Sequence, residues 1–424
     1  MNDLYFDIVV VGASFSGLSF VRNLPKDSKI KVLIVEAKPS VGFTVESTGL
    51  ITEHTRQIFD SFFEIDNYIT NKITTIGVVT TDFEEHFFSS KEDPWIYQTD
   101  TKKLIQEMAN NLSENVTLWT ETIYIDNSKI DEENKKMTVN FLQKGNKINV
   151  KTKFLIGADG GSSKVALQNS LEKNKKFLFG IEEVYFGNIL LGPNPEETIY
   201  HFWFGDFSLG YGGWLSSTII DDKKAFRIGL AKKMKENKNA KELLKKFIQV
   251  LLKKNIINID NSVDASYGVY GSKIPIGGPL KNIYKSQILL IGDAAGFCGA
   301  FAADGIKGSI ISGIESAKLL VDYFDKSDDK VFASFLKNMN NYHNIITYYK
   351  KQVFYRFVWD RMKTNRTFRQ MYKIIAKEKE GFLFQFCDSK EKGKGLSSLI
   401  LKLHNVPSLV KYSWYIFIDF FKKI

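Results

Sequence analysis

Residues 8–17 read Ile8-Val9-Val10-Val11-Gly12-Ala13-Ser14-Phe15-Ser16-Gly17. The four leading apolar residues form the unbroken run expected of a parallel strand buried on both faces. A helix is expected over 16–24, where Pro25 stops it. Residues 31–36 (KVLIVE) read as a second buried strand. Strand, glycine turn, helix and strand in that order predict a βαβ unit. The turn departs from Gly-x-Gly-x-x-Gly because Ser14 stands at the second glycine. Gly12 suits a tight turn and Gly17 close packing of helix on strand. The N-terminus of the helix, with Ser14 and Ser16 beside it, offers amides and dipole to a pyrophosphate. Ser14 takes some backbone clearance and adds a hydroxyl. Glu36 ends the second strand, 24 residues after Gly12, where a carboxylate accepts from ribose hydroxyls. The combination predicts dinucleotide binding; the alternative is a plain βαβ turn.

Two later stretches repeat the pattern of a buried strand ending in small residues. Residues 154–158 run into Asp159-Gly160-Gly161-Ser162-Ser163. Taken alone this is an ordinary Asp-Gly turn. Residues 287–291 run into Gly292-Asp293-Ala294-Ala295-Gly296, and a long helix is expected from Gly305 to Phe324. Asp293 is placed to bind a ribityl hydroxyl. The helix start at Gly305 and Ile306 is placed to stabilise negative charge on a reduced isoalloxazine.

The chain has 424 residues, with 58 Lys and Arg against 48 Asp and Glu, a net charge of +10. At ~150 residues per domain this is two or three domains. A 44 % hydrophobic and 25 % charged composition excludes a disordered tail, a fibre and a disulfide miniprotein. Two cysteines, Cys298 and Cys387, fit a reducing compartment. No basic n-region or cleavage site precedes Gly12, and no signal peptide is expected. No apolar run reaches the ~18 residues of a spanning helix. The positive charge is spread over the chain, so a solvated lysine-rich surface is preferred to nucleic-acid binding. Five histidines show neither HxxxH nor HxH spacing, and no metal site is expected.

Residues 175–270 change character, with aromatics crowding 185–211 and alternation near 200–204 and 225–230. This reads as an antiparallel sheet followed by a basic helical stretch over 231–254. The aromatics Tyr200, Phe202, Trp203, Phe204, Phe207, Tyr211 and Trp214 read first as core, with one strand face free to line an apolar tunnel. Residues 410–424 set aromatics beside Lys411, Lys422 and Lys423, which suits a helix docked on the core or one at a membrane interface.

The three nucleotide blocks together resemble the FAD-binding signature of p-hydroxybenzoate hydroxylase-like flavoproteins, across roughly residues 1–325. Within that group the chain looks most like the geranylgeranyl reductase family. Residues 271–279 (GSKIPIGGP) are similar to that family's Ile-Pro-x-Gly-Gly-Pro segment, and Gly292-Asp293-Ala294-Ala295-Gly296-Phe297 continues the match. Gly210-Tyr211-Gly212-Gly213-Trp214 resembles its Gly-Tyr-x-Trp substrate segment with one extra residue. Ala303 and Ala300 replace a usual glycine and proline, and Ser47-Thr48-Gly49 lies where many members have Cys-Gly.

The resemblance implies an α/β fold: a Rossmann-like FAD-binding domain, an inserted mainly antiparallel β-sheet substrate domain and a helical C-terminal region. The expected bounds are 1–172 and 271–328 for the FAD-binding domain, 173–270 for the sheet and 329–424 for the helices. It implies FAD held by Gly12, Ser14, Ser16, Gly17, Glu36, Asp159, Gly160, Gly292, Asp293, Gly305 and Ile306. Tyr211 and Trp214 are the expected substrate contacts, and no catalytic acid or base is assigned. The implied activity is reduction of C=C bonds in an isoprenoid chain, lipid-linked in some members, with electrons from NAD(P)H or ferredoxin. A cytoplasmic location with peripheral membrane contact is the matching expectation. The alternatives are an FAD-dependent monooxygenase or halogenase on the same scaffold, and a non-catalytic flavin-binding protein.

Overall fold

The computed structural model describes residues 4–26, 29–45, 47–90, 93–203, 210–235, 237–260, 268–324, 331–377 and 402–421. Its first sheet has eight strands and is centred on Leu4–Val11. That strand pairs in parallel with Val32–Val35 on one side and Asn146–Gly157 on the other. Val116–Trp119 extends the sheet beyond the first, and Ile288–Leu290 beyond the second, both in parallel. Ile8, Val9, Val10, Leu33, Ile34, Leu155 and Ile156 are fully buried, as unbroken apolar runs require when both faces are covered.

The third strand is longer than residues 154–158 alone suggest. Its first half pairs antiparallel with Met137–Gln143. Lys144 and Gly145 turn the hairpin at φ 47° and 85°, the two positive values a tight hairpin turn demands. The helices Phe15–Arg22 and Gly305–Tyr323 cross so closely that a Cβ on Gly313 would lie 2.6 Å from the Ser16 carbonyl oxygen.

The second sheet runs, in spatial order, Ile257–Ile259, Phe177–Ile189, Lys223–Lys233, Gly210–Ile220, Thr198–Trp203, Thr75–Thr80 and Glu85–Ser89, with Gly268–Pro275 also paired to Phe177–Ile189. Segment 173–270 therefore does not supply it alone: two strands come from residues 75–89, and Thr198–Trp203 pairs with one of them in parallel. The helix expected over 231–254 is also corrected. Ala231, Lys232 and Lys233 continue the strand, paired with Gly180, Phe179 and Leu178, and the helix is Ala240–Lys253. Asn239 caps it, its side chain accepting from the Lys241 amide at 2.9 Å. Leu244, Phe247 and Leu251 bury that helix against Phe202, Leu215 and Phe226 on one face of the sheet.

The C-terminal region holds the helices Phe335–His343, Ile345–Trp359, Asn365–Ala376 and Val406–Phe421. The last is tied down by a buried carboxylate. Asp419 accepts from the amides of Lys363 (2.9 Å) and Thr364 (3.1 Å) and from the hydroxyls of Thr364 (3.0 Å) and Thr367 (2.7 Å). Tyr412 on the same side enters a cluster with Trp203, Trp359 and Phe368. Asp419→Ala leaves these donors without their acceptor and is expected to cost at least about 1.5–3 kcal/mol. Urea unfolding reads this as a lower midpoint; an unchanged midpoint would show that Asp419 does not anchor the helix.

Candidate cofactor and substrate cavity

A parallel sheet delivers the ends of its strands to one edge, and here those ends carry all three sequence blocks. The Gly12 amide donates to the Val35 carbonyl (2.9 Å), Ala158 to Val11 (2.8 Å) and Ile291 to Gly157 (2.9 Å). Gly12 has φ +108°, and a Cβ there would lie 2.3 Å from the Ala158 carbonyl oxygen. A Cβ on Gly17 would lie 2.0 Å from the Gly12 oxygen. Gly12 thus lines the cavity, whereas Gly17 packs beneath it and does not. Ser14 is exposed to the cavity, and its hydroxyl makes no capping bond to its own helix. Ser16 is buried and lines the cavity beside Gly292, whose Cβ would meet the Ser16 hydroxyl at 2.8 Å. Gly292 itself packs and stays behind the lining. Glu36 stands at the strand end, its carboxylate accepting from the amides of Ala13 (3.2 Å) and Lys38 (3.0 Å).

Asp159 lines the cavity but turns its carboxylate into its own loop. It accepts from the Ser163 hydroxyl (2.6 Å) and the amides of Lys164 (2.7 Å) and Val165 (3.0 Å), and burial raises its pKa. Its side chain shapes the turn that leaves Gly160, at φ +75°, with open space where a Cβ would be. Asn174, which the sequence did not single out, joins the second block to the third by donating to the carbonyls of Gly161 (3.1 Å) and Asp293 (2.8 Å). Asp293, Gly305 and Ile306 all line the cavity, and a Cβ on Gly305 would lie 3.0 Å from an Asp293 carboxylate oxygen.

The loop between Cys298 and Asp304 is held by a helix far along the chain. Gln352 accepts from the amides of Phe301 (3.1 Å) and Ala302 (2.9 Å) and donates to the Asp304 carboxylate (3.0 Å). The Tyr348 hydroxyl donates to the same carboxylate (2.6 Å) and Tyr349 to the Asp304 carbonyl (2.9 Å). Burial raises the pKa of Asp304 and pulls Lys307, which sits over the Tyr348 ring at 4.4 Å, down to about 8. Cys298 lies buried at the cavity wall, where burial pushes its thiol up and keeps it protonated. Cys387 lies outside the described residues.

The cavity, about 650 Å³, continues from these loops to the face of the second sheet opposite the helix Ala240–Lys253. Alternation sorts the aromatics: Tyr200 and Phe202 turn to the helix Ala240–Lys253, Ile199 and Trp203 to the opposite face. Trp214 lines the cavity; the side chain of Tyr211, and Phe204 and Phe207, lie outside the described residues. The Trp214 indole lies against Gly229, where a Cβ would come within 2.3 Å of the ring, and donates to Glu182 at 2.7 Å. Glu182 is buried and paired with Arg227 at 3.1 Å. His201, opposite Trp214 in register, also lines the cavity, and burial lowers its pKa to about 4. The sequence signal for His201 is the alternation of its strand, which sets one polar residue between Ile199 and Trp203 on the face opposite the helix Ala240–Lys253.

Two outcomes follow. The expected FAD fits the open glycines, the helix start at Ser14 and the carboxylates of Glu36 and Asp293. Glu36→Ala or Asp293→Ala is expected to weaken FAD roughly tenfold to a hundredfold, the loss of one hydrogen bond to a charged group. Equilibrium dialysis measures it, and wild-type affinity in both variants would reject the assignment. Between pH 6.5 and about 4 the unfolded chain protonates His201 and the folded chain does not. Stability contributed by the neutral ring is complete above that window and falls as pH drops through it. His201→Phe should flatten this slope in urea midpoints taken across the window; a parallel slope would contradict it.

The profile of the FAD-binding-domain family matches residues 5–322. A digeranylgeranylglycerophospholipid reductase of Methanococcus vannielii is 25 % identical over 429 residues, spanning 96 % of this chain and 97 % of that one. Its namesake in Methanocaldococcus jannaschii is 26 % identical over 312 residues, 72 % of this chain and 74 % of that protein. A geranylgeranyl bacteriochlorophyll reductase-like protein of Thermoplasma acidophilum superposes with a TM-score of 0.77 at 14 % identity, covering 96 % of this chain and all of that one. The p-nitrophenol 4-monooxygenase of Pseudomonas putida shares the fold at a TM-score of 0.70 and 12 % identity, covering 92 % of this chain and all of that one. The chain belongs to the FAD-binding-domain family and is an FAD-dependent oxidoreductase whose relatives include geranylgeranyl reductase-like proteins.

Proposed function

We propose that this oxidoreductase reduces C=C bonds in an isoprenoid chain carried on a lipid. The observation that carries the reading is the shared cavity: its nucleotide-loop end runs without a break into a wall that includes Ile181, Ile199, Trp214 and Ile274. The names of the two methanogen relatives support the same substrate class.

Bound FAD, once reduced, supplies the hydride that such a reduction needs. The chain's own residues bind, orient and dry the alkene. Trp214 presents an apolar face whose tilt is set by Gly229 beneath it and Glu182 at its indole N–H. The Glu182–Arg227 pair keeps that carboxylate turned to a partner and away from the alkene. His201 is neutral at pH 7, so this part of the wall adds polarity without charge. The proton for the second carbon comes from solvent or a nearby donor, and no acid–base pair is required. NAD(P)H or ferredoxin supplies the electrons. Among the described residues no helix is long and apolar enough to cross a membrane.

The deciding experiment is anaerobic. Dithionite-reduced protein is mixed with a polyprenyl lipid, flavin reoxidation is followed, and the product is weighed by mass spectrometry. A gain of two hydrogens per event supports the reading. Product formed only with oxygen consumption replaces it with the monooxygenase alternative. Trp214→Ala should keep the flavin spectrum and slow reoxidation at least about tenfold, or ~1.4 kcal/mol of lost transition-state stabilisation. Loss of bound flavin in that variant would mean that Trp214 serves the fold.

A further inference from the structure

The helix Val406–Phe421 is apolar on two sides, and among the described residues one side packs against the fold. Leu409, Tyr412, Ile416 and Asp419 face inward, against Asn365–Ala376 and the cluster around Trp359. Val406, Val410, Trp414, Phe417 and Phe421 are spaced by four, four, three and four residues, one stripe of a helix. All five are exposed, at 45 %, 65 %, 60 %, 55 % and 68 %, and Phe420 beside them at 62 %. Trp414 and Phe417 stack at 5.8 Å, and Phe417 meets Phe421 at 5.1 Å, so the stripe is a continuous aromatic surface.

The two helices that pack together here are strongly basic. Residues 361–377 and 402–421 contain Arg361, Lys363, Arg366, Arg369, Lys373, Lys377, Lys402 and Lys411. Their only acid is Asp419, which is buried. Arg369 is paired to Asp82, and Arg366 lies over the Tyr415 ring at 4.2 Å, on the flank of the helix. Two such surfaces brought together would set cation against cation. An anionic bilayer matches both features, because interfacial helices bind through apolar area plus attraction to charged headgroups.

We infer that Val406–Phe421 is a docking helix for an anionic lipid surface, lying in the plane of the interface with Trp414, Phe417 and Phe421 among the acyl chains. The inner side of the helix supports the same use. The cluster it joins includes Ile199 and packs against Leu50 and Phe301; Ile199 and Leu50 also line the cavity. The apolar core beneath the docking helix therefore reaches the cavity wall. The inference rests on the isoprenoid reading for its purpose, since such substrates reside in bilayers.

The test is co-sedimentation of the intact chain with phosphatidylcholine vesicles, with and without phosphatidylglycerol, and with Val410→Asp/Phe417→Asp. Both substituted residues are exposed, so FAD content and detergent-dispersed activity serve as controls of folding. Wild type is expected to sediment with the anionic vesicles, less so in high salt, and the double variant to lose at least about tenfold in partitioning. Failure of wild type to sediment, or equal sedimentation of the variant, overturns the inference. So does a wild-type dimer that the variant converts to monomer without any vesicle binding. Wild type that reduces a detergent-dispersed polyprenyl substrate yet ignores vesicles rejects docking alone. Wild type that docks but reduces no alkene rejects the reductase reading and leaves docking in place.

Discussion

The contact between Gly12 and Ala158 is the constraint on which the cavity depends. The Ala158 carbonyl oxygen occupies the position, within 2.3 Å, that any Cβ at residue 12 would need. Only glycine allows the first and third strands to end side by side and still turn sharply into a helix. Gly17 repeats the condition one turn later by letting that helix sit on the Gly12 oxygen. From this close approach follow the shared edge of the sheet and the clustering of Ser14, Glu36, Asp159, Asp293 and Gly305 around one opening.

Much of what shapes that opening is contributed from a distance. Asn174 ties the second block to the third, and Gln352, Tyr348 and Tyr349 clamp the loop before Gly305. Such interior polar groups are costly unless each finds a partner, and once satisfied they hold one geometry. The C-terminal helices are therefore a brace for the cofactor end of the cavity as well as a cover for the second sheet. Asp159 illustrates the same division of labour: it orders its loop with its carboxylate and leaves ligand space to Gly160.

The second sheet uses alternation to keep two apolar functions apart. On Thr198–Trp203, Tyr200 and Phe202 build a core with the helix behind, while Ile199 and His201 face the cavity. On the neighbouring strand, Trp214 is aimed by a buried ion pair and a glycine. The aromatics of this region read from sequence as one cluster, but they belong to separate layers. The C-terminal helix shows the related case of a segment apolar on two sides, which a water-facing surface does not require.

The FAD-binding unit was legible in the chain because its signals are local. Residues 8–11, 32–35, 154–157 and 288–290 are short apolar runs that need burial on both faces, and the glycines and acids after them mark strand ends. The long helix expected from Gly305 to Phe324 is likewise found, over Gly305–Tyr323. Tertiary structure decided what depends on pairing between distant segments. Residues 231–233 became strand because Leu178–Gly180 offered a partner in register, and residues 75–89 joined the second sheet through Thr198–Trp203. The same holds for Asn174, Gln352 and Glu182. A lone Asn, Gln or Glu carries no spacing rule, so its role appears only when folding brings its partner, or the cavity, within reach.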